Sequence, residues 1–192
     1  MTRTPSTMLE LGTPAPAFAL PEPLTGRSVE SEEFTGRPLL VIFMCNHCPF
    51  VLHILDALAA FAHEMQARGL GVVAINSNDV AHYPDDSPKK MAVLARERGL
   101  DFPYLFDESQ AVAKAYQAAC TPDFYLFDAA GRLAYRGQFD GARPGNGEPV
   151  SGADLRAAAE ALLSGEAPAA AQKPSVGCNI KWREGNAPAY AA

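Results

Sequence analysis

Apolar positions along this chain come in two rhythms. The run Leu39-Leu40-Val41-Ile42-Phe43-Met44 is apolar throughout and predicts a strand buried on both faces, as in a parallel sheet. Phe50, Val51, Ile54, Leu55, Leu58, Phe61, Ala62 and Met65 then recur at helical spacing. Pro49 falls in the first turn, where no intrahelical donor is required, and Gly69 marks the stop. Gly71-Val72-Val73-Ala74-Ile75-Asn76 reads as a second central strand, and Ser87, Pro88 and Gly99 bracket a second helix. A short apolar stretch spans 102–106. Asp107 and Gln110 suggest a cap for a helix carrying Val112, Ala115, Tyr116 and Ala119. Phe124-Tyr125-Leu126-Phe127 reads as a strand that turns at Asp128-Ala129-Ala130-Gly131 into Leu133-Ala134-Tyr135-Arg136. Ser151 and Asp154 predict a capping box for a last helix ending near Gly165.

Strands alternate with helices and then close on a hairpin, which predicts an α/β domain with a mainly parallel sheet, helices on both faces and an antiparallel edge. Residues 1–38, rich in Pro, Gly and Thr, form an N-terminal extension with room for one hairpin. The domain is expected to span 1–165, followed by a low-complexity linker at 166–175. In the tail, Val176, Cys178, Ile180 and Trp182 alternate with Gly177, Asn179, Lys181 and Arg183, a period of two that gives one apolar face. Residues 176–192 are therefore expected to form a C-terminal strap packed on the domain.

Composition narrows the function classes. The 192 residues are 48% hydrophobic, enough for one domain with a core. Lys and Arg number 16 against 22 Asp and Glu, a net charge of −6 with no basic stripe, which argues against a nucleic-acid partner. No apolar run approaches the roughly 18 residues that cross a bilayer, and the first eight residues carry no signal-peptide core, so the expected compartment is the cytoplasm, without membrane contact. Thiols are kept reduced there, so the four cysteines read as catalytic or metal-binding rather than as structural staples.

The chemistry concentrates at Cys45-Asn46-His47-Cys48-Pro49. A C-x-x-C between a strand and a helix sets two sulfurs at the positive end of a helix dipole, where thiolate is favoured over thiol. Cys45 is expected to be exposed and to attack a disulfide, Cys48 to resolve the intermediate, and His47 to tune the Cys45 thiolate, with no cofactor and no metal. A zinc site would need about four ligands, and no second C-x-x-C or H-x-x-H pair exists. The partners expected are a disulfide-bearing protein or small molecule and an electron-donating reductase or low-molecular-weight thiol.

Cys120-Thr121-Pro122-Asp123 stands directly before the strand 124–127, and here the chain resembles the thioredoxin-like superfamily. Within it the redoxin, AhpC/TSA-like branch is the closer match. The motifs Phe43-Met44-Cys45-Asn46-His47-Cys48-Pro49 and Gly177-Cys178-Asn179-Ile180-Lys181-Trp182 are similar to those of a group of small bacterial proteins of that kind. The resemblance implies a three-layer α/β/α sandwich with a mixed central sheet, and a role in redox homeostasis or antioxidant defence. It also implies a cis-proline at Pro122 that faces the C-x-x-C, with Thr121 and Pro122 lining the substrate surface. The strand 39–44 lacks the buried acid that thioredoxins use for proton transfer. Asp79 is one candidate replacement, and Asp85-Asp86 reads as solvated helix-end charge.

Two alternatives stay open. A peroxiredoxin-like peroxidase would use Cys48, but its Pro-x-x-x-Thr-x-x-Cys signature is broken by Val41 and Cys45. A non-catalytic module would hold a metal or a partner through Cys45, Cys48 and Cys120. Cys120 and Cys178 read by default as small buried hydrophobes, with a role as accessory thiols left open.

Overall fold

The computed structural model describes residues 3–191. At its centre lies β4 (Leu39–Phe43), every residue of which is buried. β4 runs parallel to β5 (Gly71–Asn76), with Leu39 opposite Gly71, and antiparallel to β8 (Asp123–Phe127), with Phe43 opposite Asp123. β6 (Tyr104–Phe106) and β9 (Leu133–Gly137) are the edges, so the mixed five-stranded order is β6-β5-β4-β8-β9.

Alternating side chains divide the core in two. Leu40, Ile42, Val72, Ala74, Phe124 and Leu126 face α1 (Pro49–Ala67), α2 (Pro88–Glu97) and α4 (Ala153–Leu163). Val41, Phe43, Val73, Ile75, Tyr125 and Phe127 face α3 (Ala111–Ala115) and the N-terminal arm, whose β2 (Ala19–Pro21) and β3 (Ser28–Glu30) form a hairpin. Each Leu- or Phe-sized side chain buried this way contributes about 1.5–3 kcal/mol. On the second face the rings of Phe43, Tyr116, Tyr125 and Phe127 meet edge-on or tilted. This is a helix–sheet–helix layering with the arm completing the thinner layer.

A second sheet was not legible in the residue pattern. β10 (Val176–Asn179) lies between β1 (Arg3–Pro5) and β7 (Cys120–Thr121), antiparallel to both. It carries the strap across the end of the domain where α1 begins.

Two local expectations are corrected. α3 stops at Ala115, because Gln117 takes a left-handed φ of 51° and the Ala118 amide donates to Ala113 O, turning the chain toward β7. The Ser151–Asp154 capping box does not form. Gly152, at φ 65°, is the N-cap of α4, and Asp140 Oδ2 accepts from the amides of Ser151 and Gly152 at 2.6 Å. Asp154 instead accepts from Gln138 Nε2. Among the described residues, no helix is long and apolar enough to cross a membrane.

Candidate active site

α1 begins at the C-terminal edge of β4, and the two-residue link between Cys45 and Cys48 turns the chain into it. Pro49 takes the first helical position and Cys48 is the N-cap, in extended conformation. The Cys48 sulfur therefore stands at the helix N-terminus, where the Val51 amide helps to lower its pKa. Both sulfurs are enclosed: Cys45 is 1% exposed and Cys48 0%. The expected exposure of Cys45 is not found, because the end of the site is covered. His47 stacks on Tyr83 with ring centroids 5.8 Å apart, and Lys181 from the strap sits over the same tyrosine.

The two buried thiols shift each other's acidity in opposite directions. The Cys45 thiol donates to Cys48, and this with burial and the nearby Asp86 charge raises the Cys45 pKa well above the ordinary thiol value. The same hydrogen bond lowers Cys48 to about 5 against the cost of burial, helped by Thr121, Cys178 and the Val51 amide. The other proton position is also served. Cys48 Sγ lies 3.1 Å from Thr121 O, a contact made by a thiol and not by a thiolate. With the proton on Cys48, the charge falls on Cys45, which has Thr121 Oγ1 at 3.6 Å and His47 Nδ1 at 4.0 Å. The Thr121–Pro122 peptide bond is cis. At the cis-proline, Phe50, Pro122, Phe139, Arg143 and Val176 line a small groove.

Asp86 was not found by sequence reasoning, which read it as solvated charge; it is fully buried. Its Oδ1 accepts from the Asn46 amide at 2.8 Å, and its Oδ2 from Asn78 Nδ2 at 2.8 Å and His47 Nδ1 at 2.7 Å. It thus fixes both residues of the link between the cysteines. The available signal was position: Asn76, Asn78 and Asp86 follow the carboxyl end of a central parallel strand, where α/β sheets build their sites. Its neighbour Asp85 is the exposed one and pairs with Lys90. The Asp79 carboxylate pairs with His82 and with the Ala81 amide, so its side-chain partners are local ones.

Cys120 is buried with its thiol directed to Pro122 O at 3.6 Å, and burial raises its pKa strongly. Cys178 is buried on β10 and hydrogen-bonded to Cys48; its pKa is pushed up to about 12, by burial first. Among the described residues, one group of three has ligand atoms within 4.8 Å of one another, namely Cys45, His47 and Asp86. That set could hold a divalent cation only if the 2.7 Å bond between His47 and Asp86 opened. The three-sulfur arrangement of Cys45, Cys48 and Cys120 is not such a group.

Comparison with known proteins places this geometry. A family model described as the AhpC/TSA family matches residues 11–136. An uncharacterized conserved protein from Geobacillus kaustophilus is similar at 49% identity, over 95% of this chain and 97% of that one, with a TM-score of 0.93. A hypothetical protein from Sinorhizobium meliloti 1021 is similar at 51% identity, over 95% and 100%, also with a TM-score of 0.93. A secreted disulfide oxidoreductase from Mycobacterium tuberculosis is similar at 19% identity, over 76% and 96%, with a TM-score of 0.59, a likeness of fold. No curated protein matches the chain. The architecture is the thioredoxin-like one, with a mixed central sheet and four helices.

Proposed function

Because this chain belongs to the AhpC/TSA family, whose model spans residues 11–136 of it, we propose that it is a thiol–disulfide oxidoreductase working through Cys45 and Cys48. The observation that carries the reading is the placement of both sulfurs at the α1 N-terminus against the cis Thr121–Pro122 step, with Cys45 Sγ 3.6 Å from Thr121 Oγ1 and Cys48 Sγ 3.1 Å from Thr121 O. When the proton sits on Cys48 and points at Thr121 O, Cys45 becomes the attacking thiolate. It bonds to one sulfur of a substrate disulfide and releases the other as a thiolate. Cys48 then attacks Cys45 Sγ, closing the Cys45–Cys48 disulfide and releasing the second substrate thiol. One substrate disulfide becomes two thiols while the protein dithiol becomes a disulfide. A reductase or small thiol reverses the last state.

Cys45 is the outer sulfur by its neighbours, since it meets the partly exposed His47 while Cys48 meets Thr121 O and Cys178. Displacement of the His47–Tyr83 stack is the opening step, and Pro122, Phe50 and Arg143 supply the docking groove. Equilibration in glutathione redox buffers, followed by acid quench and alkylation, tests the assignment. The expected result is a reversible two-electron couple confined to peptides holding Cys45 and Cys48. A pair that stays reduced in oxidised glutathione refutes it.

A second reading is favoured by the enclosure of Cys48 together with its lowered pKa: a peroxide is small enough to reach a sulfur that a protein disulfide cannot. Consumption of hydrogen peroxide with a thiol donor, at a rate exceeding that of disulfide reduction and lost in Cys48→Ser, would favour peroxidase chemistry.

A further inference from the structure

The mechanism above leaves one sulfur beside the reacting pair unused, that of Cys178 on β10. Its position is imposed by backbone. Cys178 lies opposite Thr121 in the antiparallel β7–β10 pair. A Cβ on the preceding Gly177 would stand 1.9 Å from Thr121 O, so a side chain there would force the strap away. That same Thr121 O receives the Cys48 thiol at 3.1 Å. One carbonyl thus has Cys48 on it and the Gly177-Cys178 step packed against it, and the Cys178 thiol is hydrogen-bonded to the Cys48 sulfur.

The strap is pinned on both sides of this contact. β1 pairs with its outer edge, placing Arg3 opposite Cys178. Further along, the Ile180 amide donates to Ala119 O at 3.1 Å, the Lys181 amide to Asn78 Oδ1 at 2.8 Å, and Gln110 Nε2 to Lys181 O at 2.9 Å. Cys178 is 2% exposed, so a bulky partner cannot reach it, whereas its thiol and that of Cys48 already act on each other. Cys120 differs, because its thiol is turned to Pro122 O.

We propose that Cys178 is a third redox thiol of the site, which takes over the disulfide from Cys45 by forming a Cys48–Cys178 bond. This rests on the Cys45–Cys48 reading. The Cys178 thiolate attacks Cys48 Sγ; the S–S bond between Cys48 and Cys178 forms as that between Cys48 and Cys45 breaks. The electron pair leaves on Cys45, which takes up the proton that Cys178 gave. One disulfide is present before and after, so neither oxidant nor reductant enters this step. The oxidised protein then carries its disulfide inside, ties the strap to the start of α1, and offers Cys45 as a thiol to a second disulfide or to a small thiol oxidant.

Cys45→Ser in the full chain, reduced and then treated with diamide, tests this by thiol counting under denaturation and by peptide mapping without reduction. The expected result is a monomer whose thiols fall from three to one, with a Cys48–Cys178 cross-linked peptide; Cys45→Ala serves as a second variant should the serine disturb the fold. A Cys48–Cys120 link, a Cys48-linked dimer or an unoxidised protein would overturn the proposal. Cys178→Ala separates the two readings. If it cannot close Cys45–Cys48 in glutathione buffers, the earlier reading fails. If it can, and Cys45→Ser forms no Cys48–Cys178 bond, only the present proposal fails.

Discussion

Asp86, which acts on Cys45, and Asp123, which acts on Cys120, are both fully buried, and their surroundings differ sharply. Asp86 sits in the loop after β5 and receives three donors at 2.7–2.8 Å, from His47, Asn46 and Asn78. Asp123 opens β8 just past the cis-proline, and its Oδ2 receives Tyr125 Oη at 3.0 Å and the Ala119 amide at 3.4 Å. Among the described residues its Oδ1 has no hydrogen-bond partner, and burial lifts its carboxyl to about 7. The lesson is that the donors around a buried acid, more than its depth, decide what it does to a neighbouring sulfur. The Asp86 side places a held negative charge near Cys45 and disfavours a thiolate there. On the strap side, Asp123 is half protonated near neutrality, so the charge it adds to the sulfur-lined end of the sheet depends on pH.

The largest effect that would break this contrast concerns Asp123. Its folded pKa of about 7 lies above the unfolded value of about 3.9, so the protonated form favours the native state. That advantage is complete below about pH 4 and is lost as pH rises through 7. Over that window the native state loses up to about 4 kcal/mol from this group, at about 1.4 kcal/mol per pH unit. Urea unfolding at pH 4.5 and 7.5 should show this loss in the wild type and a much flatter profile in Asp123→Asn. Parallel profiles would mean that Asp123 is not the group behind the loss.

Next in size is the close approach of the strap. Gly177→Ala pushes a methyl carbon into Thr121 O and should destabilise the protein by about 3 kcal/mol, read as a lowered Tm. Cleavage within 176–191 at low protease should rise with it. An unchanged Tm would mean that the strap and β7 part without cost.

Smaller still, Asp86→Asn keeps an acceptor for the Asn46 amide but removes the charge beside Cys45. The Cys45 pKa should fall by about one unit, equivalent to about 1.4 kcal/mol; the larger thiolate fraction, offset by lower nucleophilicity, gives about threefold faster Cys45 alkylation by a small reagent in the Cys48→Ser background. No change would assign the Cys45 pKa in that background to burial rather than to Asp86.

Much of the fold was legible because β4, β5 and α1 are buried by periodicity alone: six apolar residues in a row, or a stripe from Val51 to Met65, have few other places to go. The C-x-x-C was legible because its two neighbours in chain order, a strand and a proline-headed helix, set its chemistry. Asp86 was hidden because its burial comes from partners 8 and 39–40 residues away, so a polar Asp-Asp pair looked solvated. The contact of Cys178 with Cys48 was hidden for the same reason. Apolar alternation marked the strap as a covered strand, but only the register Cys178 opposite Thr121 tells which sulfur it covers.

The central claim is that Cys45 and Cys48 form one coupled pair at the start of α1 in which Cys48 is the more acidic thiol. A pH titration of the reduced chain carrying ¹³Cβ-labelled cysteine, followed by NMR, tests it most directly. The account predicts a Cys48 resonance that titrates with a midpoint of about 5, while Cys45 remains a thiol through neutral pH. A Cys48 that stays protonated up to the free-thiol value of about 8.5, or a thiolate resting on Cys45 instead, would contradict it.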